Sequence, residues 1–505
     1  MKKRIQAAVA VAAALIAGMS VGTAEAADGY WTNNNNGTWS DTANWQGGIV
    51  ANGADFTAYF MIDITAARTV TLDTARSIGN VKFADTPTAS SDLTISGANI
   101  LTLDVTSGSP VINVSNQTLT IACAIAGSDG LTKAGGGVLT LSGANTALTG
   151  PITICDGILK AGNISCLGPN GSPTTVTNGG TYDINGIKLN DRGEQFCIAG
   201  MGYNGTGAVI NSGAQQMSAM SNLFLLDDAA IGSWGNRWDV RGTGGAGTLD
   251  MGGKSLTKVG GGRVYLVDLN VTNANQFIIK EGYLAATRCQ TDGAGTVLVL
   301  NGGQFGFDNY AVGAWDLPIT LSNGVLKQTG TTALTTHGAL IFLLDTNTVD
   351  VITNTTLVLT NTIAGEGSWT KQGAGTLKLT GNSTYAGGTM LSDGTLIANG
   401  AGALGSGAVT VTVGMLVIDA ADAMDDTAAL YLPSATTTNL TMNTNDTVGS
   451  LYVGGVQQPP DVYTSSGAGS GWMAGSGSLT VLPEPAAMAC VLGACLLAGR
   501  RRRNR

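Results

Sequence analysis

Apolar and polar residues alternate with period two in short runs along most of the chain, and no run keeps the 3.6-residue period of a helix. Thr376-Leu377-Lys378-Leu379-Thr380 is the clearest case: Leu377 and Leu379 share one face of a strand, and the polar residues share the other. Leu139 and Leu141 repeat the pattern, so all four leucines are expected to point inward. The same alternation predicts strands at 69–72, 92–95, 100–104, 111–114, 297–300, 340–344, 395–398 and 409–413, and closing strands at 451–456 and 478–481. Gly381-Asn382-Ser383 and Asp393-Gly394 interrupt the runs, because Gly and Asn tolerate the positive φ of tight corners. Between 168 and 249 the alternation loosens. There Asp191-Arg192-Gly193-Glu194, with Trp234 and Trp238, predicts an excursion from the regular coil, where repeat proteins often place binding residues.

The pattern repeats along the chain. Residues 130–163 and 367–400 are two copies, and 254–289 is a looser third. In each, a lysine precedes a glycine at a nearly fixed distance: Lys133 to Gly157, Lys258 to Gly282 and Lys371 to Gly394, 24, 24 and 23 residues apart. Aligned without gaps, 116–145 and 354–383 share thirteen of thirty positions. Repetition of short strands and turns at this period predicts a solenoid, in which each coil buries its apolar face against the next.

The Thr-Lys-x-Gly-x-Gly-x-Leu-x-Leu-x-Gly core, followed by an Asp-Gly-x-Leu strand, resembles the autotransporter-associated β-strand repeat. The middle copy departs from it at Arg263, Tyr265 and Glu281. The resemblance implies an all-β chain folded as a right-handed parallel β-helix (β-solenoid) at the cell surface, like an autotransporter passenger. A terminal membrane barrel of about a dozen strands has no counterpart in this sequence after the repeats.

Composition narrows the classes of function. The 505 residues include 74 glycines, 43% are hydrophobic and only 12% are charged, which suits repeated β-coils with neutral outer positions rather than disorder. Without residues 1–26 and 483–505, 17 basic residues face 32 acidic ones, a net charge of −15. A nucleic-acid partner is therefore not expected, because nothing supplies the basic face that displaces counterions.

The two ends read as sorting signals. Residues 1–26 combine Lys2-Lys3-Arg4, an apolar stretch and Ala24-Glu25-Ala26, predicting a signal peptide cut between Ala26 and Ala27. At the other end Pro483-Glu484-Pro485 precedes an apolar run, 486–499, and then Arg500-Arg501-Arg502-Arg503-Asn504-Arg505. Prolines end the preceding strand, the apolar run enters a bilayer and the arginines stay cytoplasmic. Fourteen residues are short for a stable span, which favours a transient inner-membrane anchor. The segment 483–505 resembles a PEP-CTERM sorting signal, which implies an exosortase-type membrane protease as partner. Between the signals, 27–115 is read as a β-rich cap with the first coils, and 116–482 as the β-helix.

Candidate chemistry is sparse. Trp31, Trp39 and Trp45 near the start either stack on sugar rings or close the open end of the first coil; Trp234 and Trp238 are the other candidate glycan contacts. His337 is the only histidine and, beside Gly338, reads as a polar turn residue, so no catalytic residue is assigned to it. Cys123, Cys155, Cys166, Cys197 and Cys289 contain no CxxC pair, and Cys155 and Cys166 are either a bridge or small buried hydrophobes. No metal site and no cofactor are expected. Asp227-Asp228 with Arg237 and Arg241, and Asp425-Asp426, are the carboxylates that a lyase or hydrolase on this fold would use. The sequence thus points to an exported, non-enzymatic surface or matrix protein with a structural or adhesive role, with surface polysaccharide as a candidate partner. The alternative is a polysaccharide-active (lyase or hydrolase) or glycan-binding protein on the same fold.

Overall fold

The computed structural model describes residues 25–169, 172–189, 193–242, 247–307, 315, 317–330 and 334–483. The chain forms two compact units, Met1–Ser172 and Pro173–Arg505, each an all-β parallel solenoid.

In the first unit, Leu93–Ser96, Thr118–Ile121, Val138–Leu141 and Gly157–Ala161 stack as one parallel ladder. Their register places Leu93, Leu119, Leu139 and Leu159 in a single column, each at most 2% exposed. The adjacent outward column is Thr94, Thr120, Thr140 and Lys160. Burying each leucine stabilises the stack by about 1.5–3 kcal/mol. A one-residue slip would turn the whole apolar column to solvent, so the alternation fixes the register.

The start of this unit is closed by aromatic packing. Trp31, Trp39 and Trp45 are at most 2% exposed and pack on one another and on Phe60, with ring centroids 5.2–5.8 Å apart. Each indole N–H reaches a backbone carbonyl: Trp31 that of Asn33, Trp39 that of Ala51 and Trp45 that of Trp39. Large rings with one polar atom fill this end and still satisfy their donors.

The second unit repeats the arrangement. Leu357, Leu377, Leu396, Leu416 and Leu440 form an inward column with no exposed area, beside an outward column of Val358, Lys378, Ile397, Val417 and Thr441. Toward the end of the described chain, Val462–Thr464 pairs antiparallel with Ser478–Val481, and Tyr463 packs on Trp472. This change from parallel to antiparallel pairing satisfies strand groups that a further coil would otherwise take.

Two expectations are corrected. Where it is described, the stretch 168–249 stays in the coil: Thr174–Val176, Gln195–Gly200 and Asn222–Gly232 are successive rungs of one parallel ladder, while 170–171, 190–192 and 243–246, with the expected Asp191-Arg192, lie outside the described residues. Strands buried on both faces, such as Gly180–Asp183 within this stretch and Tyr283–Thr287 further on, carry no alternation of burial. His337 is not a turn residue either; it ends the strand Leu334–His337, opposite Leu359, and is buried. No helix among the described residues is long and apolar enough to cross a membrane. The predicted signal peptide up to residue 24 and the tail 484–505 lie outside the described residues.

Candidate functional site

The most unusual chemistry lies inside the repeats. Lys133, Lys258 and Lys371 are fully buried, each on the inward face of its strand. Each ammonium donates to three backbone carbonyls. Lys133 Nζ reaches Ala134 O at 3.0 Å, Gly135 O at 2.5 Å and Asp156 O at 2.9 Å. Lys258 Nζ reaches Val259 O, Gly260 O and Glu281 O at 2.9, 2.6 and 3.2 Å. Lys371 Nζ reaches Gln372 O, Gly373 O and Asp393 O at 2.9, 2.6 and 3.2 Å. An ammonium has three donors and no acceptor, so three converging carbonyls match it completely.

The motif glycines build these nests. Gly135, Gly260 and Gly373 have φ of 74–76°, turning the strand so that its next carbonyl points back at the lysine. Gly157, Gly282 and Gly394 have φ of 64–70° in the following coil; at Gly394 a Cβ would lie 2.4 Å from Gly375 O and 2.5 Å from Gly373 O. Burial pushes each lysine down to about 8, opposed by the carboxylates of Asp156, Glu281 and Asp393 respectively. All three therefore remain charged at neutral pH. With no exposed area they cannot meet a substrate, and their chemistry is the clamping of one coil to the next.

The glycan candidates separate by exposure. Trp31, Trp39 and Trp238 are buried and offer no ring face to a sugar. Trp238 lies in the strand Trp238–Arg241 and donates to Gly232 O at 2.8 Å. Trp234 differs: it is 59% exposed in the turn before that strand. A Cβ on Gly260 would meet its indole at 2.9 Å, so the ring lies against the backbone of the Lys258 nest.

Among the carboxylate candidates, Asp227, Asp228 and Asp425 each have other partners. Arg237 and Arg241 both close on Asp239, at 2.7 and 2.6 Å, and Asp239 has no exposed area. The Arg237 guanidinium also lies 3.5 Å over the Tyr265 ring. Asp227 instead faces Lys254 at 3.8 Å, and Asp228 accepts from Ser255 N–H at 2.8 Å. Asp425 is taken up by its own turn, accepting from Thr427 N–H at 2.8 Å.

Among the remaining candidates, Cys123 and Cys289 are buried thiols that burial raises to about 11 and about 12. Cys155 lies at the surface and Cys166 in the core. Among the described residues, no group of His, Cys, Asp and Glu is arranged to hold a metal ion. Ala27 is bridged to Asn52, its N–H 2.8 Å from Asn52 O, and Ala26 precedes it. Pro483 is exposed at the end of the described chain, while Glu484 and Pro485 lie beyond it. An open notch of about 670 Å³, lined by Leu344, Asp345, Glu366 and Ser368, adjoins the exposed row Leu340, Phe342 and Leu344.

Residues 131–161 and 370–398 match the model of the passenger-associated-transport-repeat family. These segments contain the Lys133 and Lys371 nests; the Lys258 nest lies between them. The chain is also similar to the adhesin BmaC autotransporter of Brucella suis biovar 1 (strain 1330), with 32% identity over 236 residues, 43% of this chain and 6% of the adhesin. The chain thus spans a small fraction of the length of that relative. No solved structure matches it. Two segments of the chain are therefore similar to passenger-associated repeats, and both are folded as parallel β-solenoid.

Proposed function

We propose that the protein is an exported surface or matrix solenoid with an adhesive role and no catalytic activity. The observation that carries this reading is the passenger-type repeat itself: the segments 131–161 and 370–398 that match it lie in the coils of an apolar-cored parallel solenoid, and a relative 32% identical over 236 residues is named an adhesin. The outer column of the first unit supports it, because Thr94, Thr120 and Thr140 present neutral polar groups at a constant strand spacing of about 4.8 Å. Trp234, the exposed one of the four candidate glycan-contact tryptophans, is the ring that a surface polysaccharide would meet.

In this reading residues 1–26 are removed during export, with Ala27 as the new first residue, and 483–505 are handled by an exosortase-type membrane protease. The engagement of Arg237 and Arg241 with Asp239, rather than with Asp227 and Asp228, speaks for binding without turnover. The test compares cells producing the full chain with cells lacking it. The producing cells are expected to adhere several-fold more to polysaccharide-coated surfaces, and external protease should remove the protein from intact cells. Equal adherence, or full protection from protease, overturns the adhesive surface role. Release of new sugar ends from a panel of polysaccharides by the purified protein overturns the non-enzymatic one.

A further inference from the structure

We infer that two pairs of outward tyrosines, Tyr30 with Tyr59 and Tyr431 with Tyr452, are sites of oxidative cross-linking at which a dityrosine bond staples one coil to the next. Parallel in-register pairing places identical side chains directly over one another, and both pairs are register partners: Tyr30 faces Tyr59, and Tyr431 faces Tyr452. Their rings are stacked almost parallel, with centroids 4.4 Å apart and planes at 4° in the first pair, and 4.7 Å and 12° in the second. Tyr30 and Tyr431 are among the exposed large side chains, at 47% and 39%. An oxidant in solution therefore reaches each pair.

Each stack is two rings deep. Beyond Tyr59 the register partner is Lys82, whose ammonium lies 5.4 Å from the Tyr59 ring centre. Beyond Tyr431 comes Thr410, and beyond Tyr452 the antiparallel partner is Gln457. A radical on one ring thus has one phenol beside it, and coupling yields a discrete pair. The molecule contains its own contrast: Tyr265 and Tyr283 lie 5.6 Å apart but edge to face at 76°, and both are buried.

The reaction balances with hydrogen peroxide and a one-electron peroxidase as oxidant. Each phenol gives up one electron and its hydroxyl proton, and the peroxide takes two of each to become two waters. The two radicals, with spin on the carbons ortho to oxygen, join by one carbon–carbon bond. The ortho hydrogens then shift to the oxygens and restore both phenols, so each pair loses two hydrogens in all.

The experiment treats dilute purified protein with a plant peroxidase and hydrogen peroxide, isolates the monomer and maps its peptides by mass spectrometry. The expected result is dityrosine fluorescence in the monomer, with peptides joined at Tyr30–Tyr59 and Tyr431–Tyr452 and none at Tyr265–Tyr283. Tyr59→Phe preserves the outward ring and should abolish the first link while leaving the second in place. The inference is overturned if no dityrosine forms, if it joins only separate molecules, or if the monomer is linked at other tyrosines. None of these outcomes bears on adhesion, so the proposed function stands or falls separately.

Discussion

At the scale of single residues, the lysine of each repeat settles what the repeat is for. A buried ammonium is costly unless every proton finds an acceptor, and in all three nests every proton does. The carbonyls come from two consecutive coils, so the charge joins them. Lys371→Met keeps most of the volume and removes the donors, stranding Gln372 O, Gly373 O and Asp393 O. It is expected to destabilise the coil by about 2–4 kcal/mol, the range for buried acceptors deprived of a charged partner. Urea unfolding followed by circular dichroism reads this as a lower midpoint. An unchanged midpoint would mean that water or another side chain serves these oxygens. The lysines were legible in principle: Leu131 and Lys133 share a parity, as do Trp369 and Lys371, so alternation alone puts the charge inside. The usual placing of lysine at the surface hid them. For Trp31 and Trp39 the sequence left sugar contacts and closure of the first coil side by side, and their burial selects closure.

At the scale of the element, the repeat combines a strand whose parity fixes the core with a corner that only glycine can make. Gly394, at φ +70° and with carbonyl oxygens 2.4 and 2.5 Å from where a Cβ would stand, has no room to give. Gly394→Ala is expected to cost about 3 kcal/mol, the left-handed penalty plus a clash with fixed backbone. Gly261 provides the comparison. Nothing lies within 4 Å of a Cβ there, and the copy at 367–400 carries Ala374 at the same place, so Gly261→Ala should change stability by less than about 0.5 kcal/mol. Urea midpoints of the two variants, side by side, test whether the motif glycines act through conformation and space; equal shifts would contradict that account. Strands with one face in water, such as Thr376–Leu379 and Val138–Leu141, were readable from alternation, and Leu377, Leu379, Leu139 and Leu141 are all buried. Strands covered on both faces were not. Ser255–Val259 and Tyr283–Thr287 lose the period-two signal, and their place shows instead in the looser repeat spacing of Lys258 and Gly282 and in their ladder partners.

For the molecule as a whole, the proposed reading requires that an acidic solenoid come to rest at a cell surface. In the proposed reading membrane retention rests on the apolar run 486–499. The arginines from Arg500 to Arg505 then act as the cytoplasmic stop, and Pro483-Glu484-Pro485 as the feature a protease recognises. These roles separate in two variants. Deleting 500–505 removes the stop, and the chain is expected to slip through the membrane unprocessed. Replacing Pro483, Glu484 and Pro485 with alanine leaves the apolar run and arginines intact, and full-length protein is expected to accumulate in the inner membrane. The parent chain should instead lose its apolar run and reach the surface or the medium. Mass spectrometry of the C-terminal peptide decides the matter: surface-exposed protein still ending at Arg505 refutes processing and leaves a plain hydrophobic anchor, whereas an end upstream of 486 on surface protein, together with full-length retention in the alanine variant, ties release to the three motif residues.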